Sequence, residues 1–324
     1  MLKYVARRLL IAIPTLWGIT VLTYAFINLA PGDPLTSLVL DARGGSAQSI
    51  SPEALEQLRK EYGLDQPAPV RYVFWLEELA RGNMGRRITD RSPVADVIRQ
   101  RLGPTVELMS AALIISVALG IPLGVISALK QYSRLDYALT VWAFVGVSLP
   151  EFFAGIILIY ILAVRLNWLP TSGMMTAGAY FSVPDNLAHL AMPAVVLGLA
   201  HTSALMRYAR SSVLDVLRQE YVTTARAKGL GESVVVIVHI FRNAALPLIT
   251  VVGLMLPRLI GGAAIVESIF QWPGMGTLYL DAVAQRDYGM IMGLIVMVSA
   301  AVLLANLVAD LAYAVADPRI RYNR

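Results

Sequence analysis

Residues 105–129 read TVELMSAALIISVALGIPLGVISAL, with Glu107 as their only ionisable side chain. About 20 apolar residues in a helix span the roughly 30 Å of hydrocarbon in a bilayer, so this run is a candidate membrane span. Its apolar residues come as a block, without the polar face that a surface helix of a soluble protein carries. Five more blocks of similar length occur, approximately Leu9–Ala30, Tyr137–Val164, Leu187–Met206, Ala244–Val266 and Tyr288–Val315. The fold class this predicts is all-α, a polytopic membrane protein with six transmembrane helices.

Composition agrees. Of the 324 residues, 57% are hydrophobic and 15% charged, whereas soluble domains carry about 45–50% and about 25%. The net charge of +5 flanks the apolar blocks and forms no single stripe, so membrane lipid, and not nucleic acid, is the expected surrounding. With no cysteine in the chain, disulfides, Cys-based zinc sites and thiol nucleophiles are excluded. There is no G-x-x-x-x-G-K-[ST] run to cradle a nucleotide, no H-E-x-x-H and no G-x-S-x-G. His189, His201 and His239 lie far apart in sequence and are expected to satisfy local hydrogen bonds. No catalytic residue, metal ligand or cofactor is therefore expected, and the energy for any uphill transport would come from elsewhere.

Lys and Arg in short loops set orientation. Lys3, Arg7 and Arg8 precede the first block, Lys130 and Arg134 follow the second, and Arg207, Arg210, Arg218, Arg226, Lys228 and Arg242 follow the fourth. Arg319, Arg321 and Arg324 close the chain, while 166–186 holds no Lys or Arg and 272–287 only Arg286. Both termini are expected in the cytoplasm. The first block is too long for a signal peptide and Asn28-Leu29-Ala30-Pro31 is a poor cleavage site, so an uncleaved span is expected. Residues 31–104 then lie outside, where their length frees them from the charge rule.

That external segment carries helix signals. Ser51-Pro52-Glu53 combines an N-cap with a first-turn proline, and Leu55, Leu58 and Tyr62 share one face before Gly63. A second run, Val70 to Leu79, stops at Gly82, and a third opens at Ser92-Pro93 with Val94, Val97 and Ile98. Three short amphipathic helices are expected, either packed over the first two spans or offered to an external partner.

The stretch Glu220–Pro247, EYVTTARAKGLGESVVVIVHIFRNAALP, breaks at Gly229-Leu230-Gly231 between two apolar blocks. A helix from Arg218 to Lys228 is expected, in a connection longer than the usual 2–8 residues between packed helices. Read on its residues alone it is either a plug for a soluble partner or an ordinary positively charged loop.

Thr223-Thr224-Ala225-Arg226-Ala227-Lys228-Gly229 resembles the coupling loop of permease subunits of ATP-binding-cassette importers, in the version of the dipeptide/oligopeptide/nickel class. Further motifs of that class are matched in order by Pro31-Gly32-Asp33-Pro34, Tyr62-Gly63-Leu64-Asp65 with Pro67, and Ser148-Leu149-Pro150-Glu151-Phe152. Glu267-Ser268-Ile269-Phe270, Trp272-Pro273-Gly274-Met275-Gly276, Asn306-Leu307 with Asp310, and Asp317-Pro318-Arg319-Ile320-Arg321 continue the series. Thr223 and Thr224 stand where the broader consensus has Glu and Ala, which leaves Glu220 as the nearby acid.

The resemblance implies a division into residues 1–30 (terminus and first span), 31–104 (external segment), 105–316 (permease core, with a cytoplasmic coupling loop at 207–243) and 317–324 (tail). It implies four kinds of partner: a second homologous permease subunit, two cytoplasmic ATPase subunits, an external solute-binding protein and a peptide substrate. Glu220, Thr224, Ala225, Arg226, Ala227, Lys228 and Gly229 would make the ATPase contact. There Gly229 would allow a tight turn, Ala225 and Ala227 would keep the helix slim enough for a groove, and Arg226 and Lys228 would face acidic residues. Asn306 and Asp310 share a face, with Arg319 or Arg321 the expected partner of Asp310. Glu151 and Arg258, each beside a proline in mid-block, would either pair with each other or line the substrate pathway. The competing reading is an ion-driven secondary carrier that uses Glu107, Glu151 and Asp310. A non-transporting scaffold, or a member of the same class carrying nickel chelates or oligosaccharides, are further alternatives.

Overall fold

A computed structural model describes the chain at residues 2–29, 52–61, 64–256 and 261–316. Among the described residues the regular elements are helices, joined by turns and irregular connections such as 166–182, with one isolated antiparallel bridge between Arg86 and Pro93. In chain order the helices are α1 (Leu2–Leu29), α2 (Pro52–Glu61), α3 (Ala68–Ala80), α4 (Val94–Leu129), α5 (Arg134–Ser148) and α6 (Glu151–Leu158), the last continuing as a π-helix over Ile159–Arg165. Next come α7 (Val183–Leu217), α8 (Glu220–Ala227) and α9 (Glu232–Val234), with a second π-helix over Val235–Phe241. The series ends with α10 (Arg242–Met255), α11 (Ala264–Ile269), α12 (Met275–Ala284) and α13 (Tyr288–Ala316).

Among the described residues four helices hold stretches long and apolar enough to cross a membrane, and the number rises to six if each of two bent pairs is one span. The third apolar block is one such pair, with Arg134–Ser148 and Glu151–Arg165 meeting at 99°. Pro150 causes the break. A residue before proline is driven out of the α region, and Leu149 sits at φ −81°, ψ 118°, which ends α5. The other pair, Glu232–Ala245 and Pro247–Met255, begins well before the fifth block expected at Ala244–Val266 and bends by 49°, where Pro247 has no N–H for the helix ladder. The expected third short helix is not separate: the start at Ser92-Pro93 opens α4, which runs unbroken for 36 residues. Gly82, at φ +84°, does close α3. Ser51, Tyr62 and Gly63 lie outside the described residues, as do 30–50 with the Pro31-Gly32-Asp33-Pro34 motif.

The chain divides into two compact units, Met1–Gly103 with Gly274–Leu303 and Pro104–Pro273 with Leu304–Arg324. In the first, α3 lies on α1: the Thr20 and Tyr72 hydroxyls share a 2.8 Å hydrogen bond, and Arg71 donates to Asn28 Oδ1 at 2.8 Å. Val94 and Ile98 pack with Met275, Leu278, Met290 and Leu294 in an apolar cluster. Asp287 caps α13, accepting from the Met290 N–H at 3.0 Å, and its other oxygen accepts from Ile88 N–H at 3.1 Å. Burial pushes its carboxyl above the usual range, against those two bonds and Arg87.

In the second unit α7 is the central helix. Gly120 and Gly124 of α4 and Gly198 of α7 let the two backbones approach closely. A methyl group added at Gly124 would stand 2.5 Å from both Ala209 Cβ and the Met206 carbonyl oxygen, and one at Gly198 would stand 2.7 Å from Ile115. The Ser116 hydroxyl donates to the Gly198 carbonyl at 3.0 Å across this contact. The segment after α10 is tied to the same helix, because Thr105 donates to Glu267 Oε1 at 3.1 Å and the Trp272 indole donates to the Pro104 carbonyl at 2.8 Å. Trp272 and Glu267 are both fully buried.

Gly124→Val is therefore expected to destabilise the chain by about 1–3 kcal/mol, the usual range for overpacking, seen as a lower unfolding midpoint in detergent. Gly18→Ala, where an added Cβ meets nothing within 4 Å, is expected to leave the midpoint unchanged or raise it.

Candidate coupling site

The connection between α7 and α10 is built around the eight-residue helix α8. Val222 and Ala225, three apart and hence on one face, are 1% and 4% exposed. They pack against Ala128 from the end of α4, Val213 from the end of α7, and Val235, Ile240 and Ala244 from the chain that follows. The opposite face, with Glu220, Tyr221, Thr223, Thr224, Ala227 and Lys228, is exposed.

The helix closes as a Schellman motif. The Gly229 N–H donates to the Arg226 carbonyl at 2.9 Å and the Leu230 N–H to the Ala225 carbonyl at 3.4 Å, which satisfies carbonyls the helix end would leave unpaired. Gly229 takes φ +75°, the left-handed region that costs other residues about 1–2 kcal/mol. Beyond it, Arg226 grips Glu232 through Nη2–Oε1 at 2.6 Å and Nε–Oε2 at 3.2 Å. That guanidinium holds the Glu232 carboxyl below the usual range.

The structure brings the expected residues together but gives them different tasks. The helix is shorter than Arg218–Lys228, since α7 runs on to Leu217 and the chain turns at Arg218-Gln219. Ala225 faces inward, so its small side chain lets α8 sit close to its own core, and only Ala227 keeps the outer face slim. Arg226, though exposed, is engaged with Glu232 of its own chain, and Lys228 is exposed beside it. Tyr221 and Leu230, 42% and 41% exposed, join that surface. Neither belongs to the set of coupling residues expected from the sequence.

Glu151 does not sit inside a continuous span; it is the first residue of α6, at the 99° bend, where a helix N-terminus favours a carboxylate. Arg258 lies outside the described residues, and so do the Asp310 side chain, Arg319 and Arg321. His189 and His201 each contact the carbonyl one turn back, Asp185 at 2.9 Å and Leu197 at 2.7 Å.

Residues 120–322 match the family described as the binding-protein-dependent transport system inner membrane component, and residues 1–109 match the description of its N-terminal membrane component. The chain belongs to this permease family. The permease is 44% identical to the oligopeptide transport system permease protein AppB of Bacillus subtilis strain 168, covering 99% of this chain and 100% of that one. It is 39% identical to the dipeptide transport system permease protein DppB of Escherichia coli strain K12, with both chains fully covered. Among solved structures it resembles the inward-facing MetNI methionine ABC transporter with a TM-score of 0.56 at 14% identity, over 68% of this chain and 96% of that one. That likeness is one of fold. The permease is thus a multi-pass inner-membrane transport subunit and not a catalytic one.

The two alanines of α8 separate folding from contact. Ala225→Asp would bury an unpaired carboxylate and is expected to lower the unfolding midpoint in detergent, with a loss of about 2 kcal/mol or more. Ala227→Asp, on the exposed face, is expected to stay within about 0.5 kcal/mol of the parent.

Proposed function

We propose that the permease forms half of the translocation pore of an ATP-binding-cassette importer for dipeptides or oligopeptides. The observation that carries the substrate class is the full-length similarity to permeases named for oligopeptide and dipeptide transport. On this reading a second homologous permease completes the pore and an external solute-binding protein delivers the peptide. Two ATPase subunits bind beneath α8, and they, not this chain, hydrolyse ATP. Both termini and the 207–243 connection face the cytoplasm, in keeping with the Lys and Arg bias of the short loops.

Coupling then works through α8. Closure of the ATPases around ATP displaces the exposed row Glu220, Thr224, Ala227 and Lys228, while Val222 and Ala225 carry the displacement into the helix ends beneath. The transporter is a two-state device, and each ligand shifts it only by its differential affinity for the two states. Peptide selection rests largely with the binding protein. Glu151, at the bend between α5 and α6, is the residue we assign to the pathway together with Arg258.

The test is uptake of a labelled dipeptide by proteoliposomes holding the permease, its partner permease, the ATPases and the binding protein. Uptake that requires both ATP and the binding protein is expected. Ion-gradient-driven uptake by this chain alone would overturn the reading, and loading of the binding protein with a nickel chelate or an oligosaccharide would replace the substrate class. Ala227→Trp is expected to insert and assemble normally, yet to cut peptide-stimulated ATP hydrolysis by roughly tenfold, about 1.4 kcal/mol of lost coupling.

A further inference from the structure

We infer that Asp136, Arg210 and Ser127 form a positioning clamp that makes the seat of α8 rigid, so that displacement of α8 moves the ends of α4, α5 and α7 as one body. This rests on the coupling reading of α8 given above. Arg210 meets the buried Asp136 carboxylate as a fork, Nε to Oδ1 at 2.9 Å and Nη2 to Oδ2 at 2.9 Å. The Ser127 hydroxyl donates to Oδ1, and the Tyr132 N–H donates to Oδ2 at 3.0 Å. Arg210 Nε also reaches Ser127 Oγ at 3.1 Å. Each carboxylate oxygen thus accepts twice, from three different stretches of chain.

The placement gives the clamp its role. Ser127 precedes Ala128, and Arg210 lies one turn before Val213; Ala128 and Val213 are two of the side chains on which Val222 and Ala225 rest. One turn further back α4 and α7 are already closely packed, at Gly124 and the Met206 carbonyl. The ion pair holds together the remaining, free-ended part of the same two helices and adds the start of α5. Stability alone does not account for a buried pair here, because well-packed apolar residues serve that purpose at least as well. A planar fork on a carboxylate instead admits one geometry. The connection also accepts left-handed backbone at Tyr132, φ +63°, to bring its N–H onto Asp136.

The experiment uses the assembled complex in lipid nanodiscs. Since the chain has no cysteine, Thr223→Cys with Leu135→Cys, both exposed, gives two unique sites for spin labels. A single narrow distance distribution is expected for the parent. Asp136→Asn is expected to broaden it and to reduce binding-protein-stimulated ATP hydrolysis roughly fivefold or more, with unstimulated hydrolysis unchanged. Arg210→Lys keeps the charge but not the fork; it should shift both readouts the same way by less, and it carries the test if Asp136→Asn fails to assemble. An unchanged distance distribution, or unchanged stimulation, overturns the clamp. Ala227→Trp run alongside separates the two ideas: if it uncouples and the clamp variants do not, the clamp falls alone. If none of them uncouples, the coupling reading of α8 falls and takes the clamp with it.

Discussion

Helices inside a bilayer gain little by hiding apolar surface, because lipid tails are as apolar as leucine; close backbone approach and buried hydrogen bonds must do the holding. In this permease that approach is made between α4 and α7. Gly120 and Gly124 lie one turn apart on one helix and face Thr202, Leu205, Met206 and Ala209 of the other, while Gly198 returns the favour toward Ala112 and Ile115. Other elements of the same unit lean on this pair. Leu248 of α10 packs on Leu205 and Ala209, Gly146 of α5 lies against Ser203, and Glu267 and Trp272 fasten the stretch around α11 to the residues where α4 enters the unit.

Against that unbroken pair stand two bent spans. In hydrocarbon a backbone group without a partner is costly, so interruptions are tolerated only where protein or water takes over the lost bond. Each bent pair includes a π-helix: Ile159–Arg165 lies in the third apolar block, whereas Val235–Phe241 lies ahead of the fifth, in the connection; in single turns this form often accompanies functional sites. The second follows α8 directly and contributes Val235 and Ile240 to its seat. The coupling helix therefore rests on the ends of two long unbroken helices on one side and on a π-helix on the other.

How much of this could be read from residues depended on whether the signal was local. Apolar block length marks a span by itself, and the Gly229 stop follows from the one residue type that accepts φ +75° without cost. Pro150 announced a bend in the third block but not its 99°, which depends on neighbours far along the chain. Ser92-Pro93 was a true helix start, but nothing local says that α4 continues through Gly103 and Pro104 into the span. Ala225 looked suited to a partner's groove because small side chains suit any close contact; Val222, three residues earlier, was the sign that this face turns inward. Arg210 counted only as a loop charge and Asp136 drew no reading, since a tally of Lys and Arg cannot show that two residues 74 positions apart form a fork. The residues matching the motif near Asp33 and those around Arg258 and Asp317 lie outside the described structure.

The glycine-lined contact also has a consequence for biosynthesis. The α4 and α7 surfaces that fit together are separated by α5, α6 and the connection between them, so α4 emerges from the ribosome well before its mate. Until then its glycine face lacks the helix that fills it. Ser116 is prepared for that interval, because its hydroxyl also reaches the Ala112 carbonyl of its own helix at 2.8 Å and need not wait for Gly198 to find an acceptor. Gly120 and Gly124 have no such provision. The nascent helix therefore carries a notch open to any small-residue helix inserted nearby, and prompt synthesis of α7 protects it from mispairing.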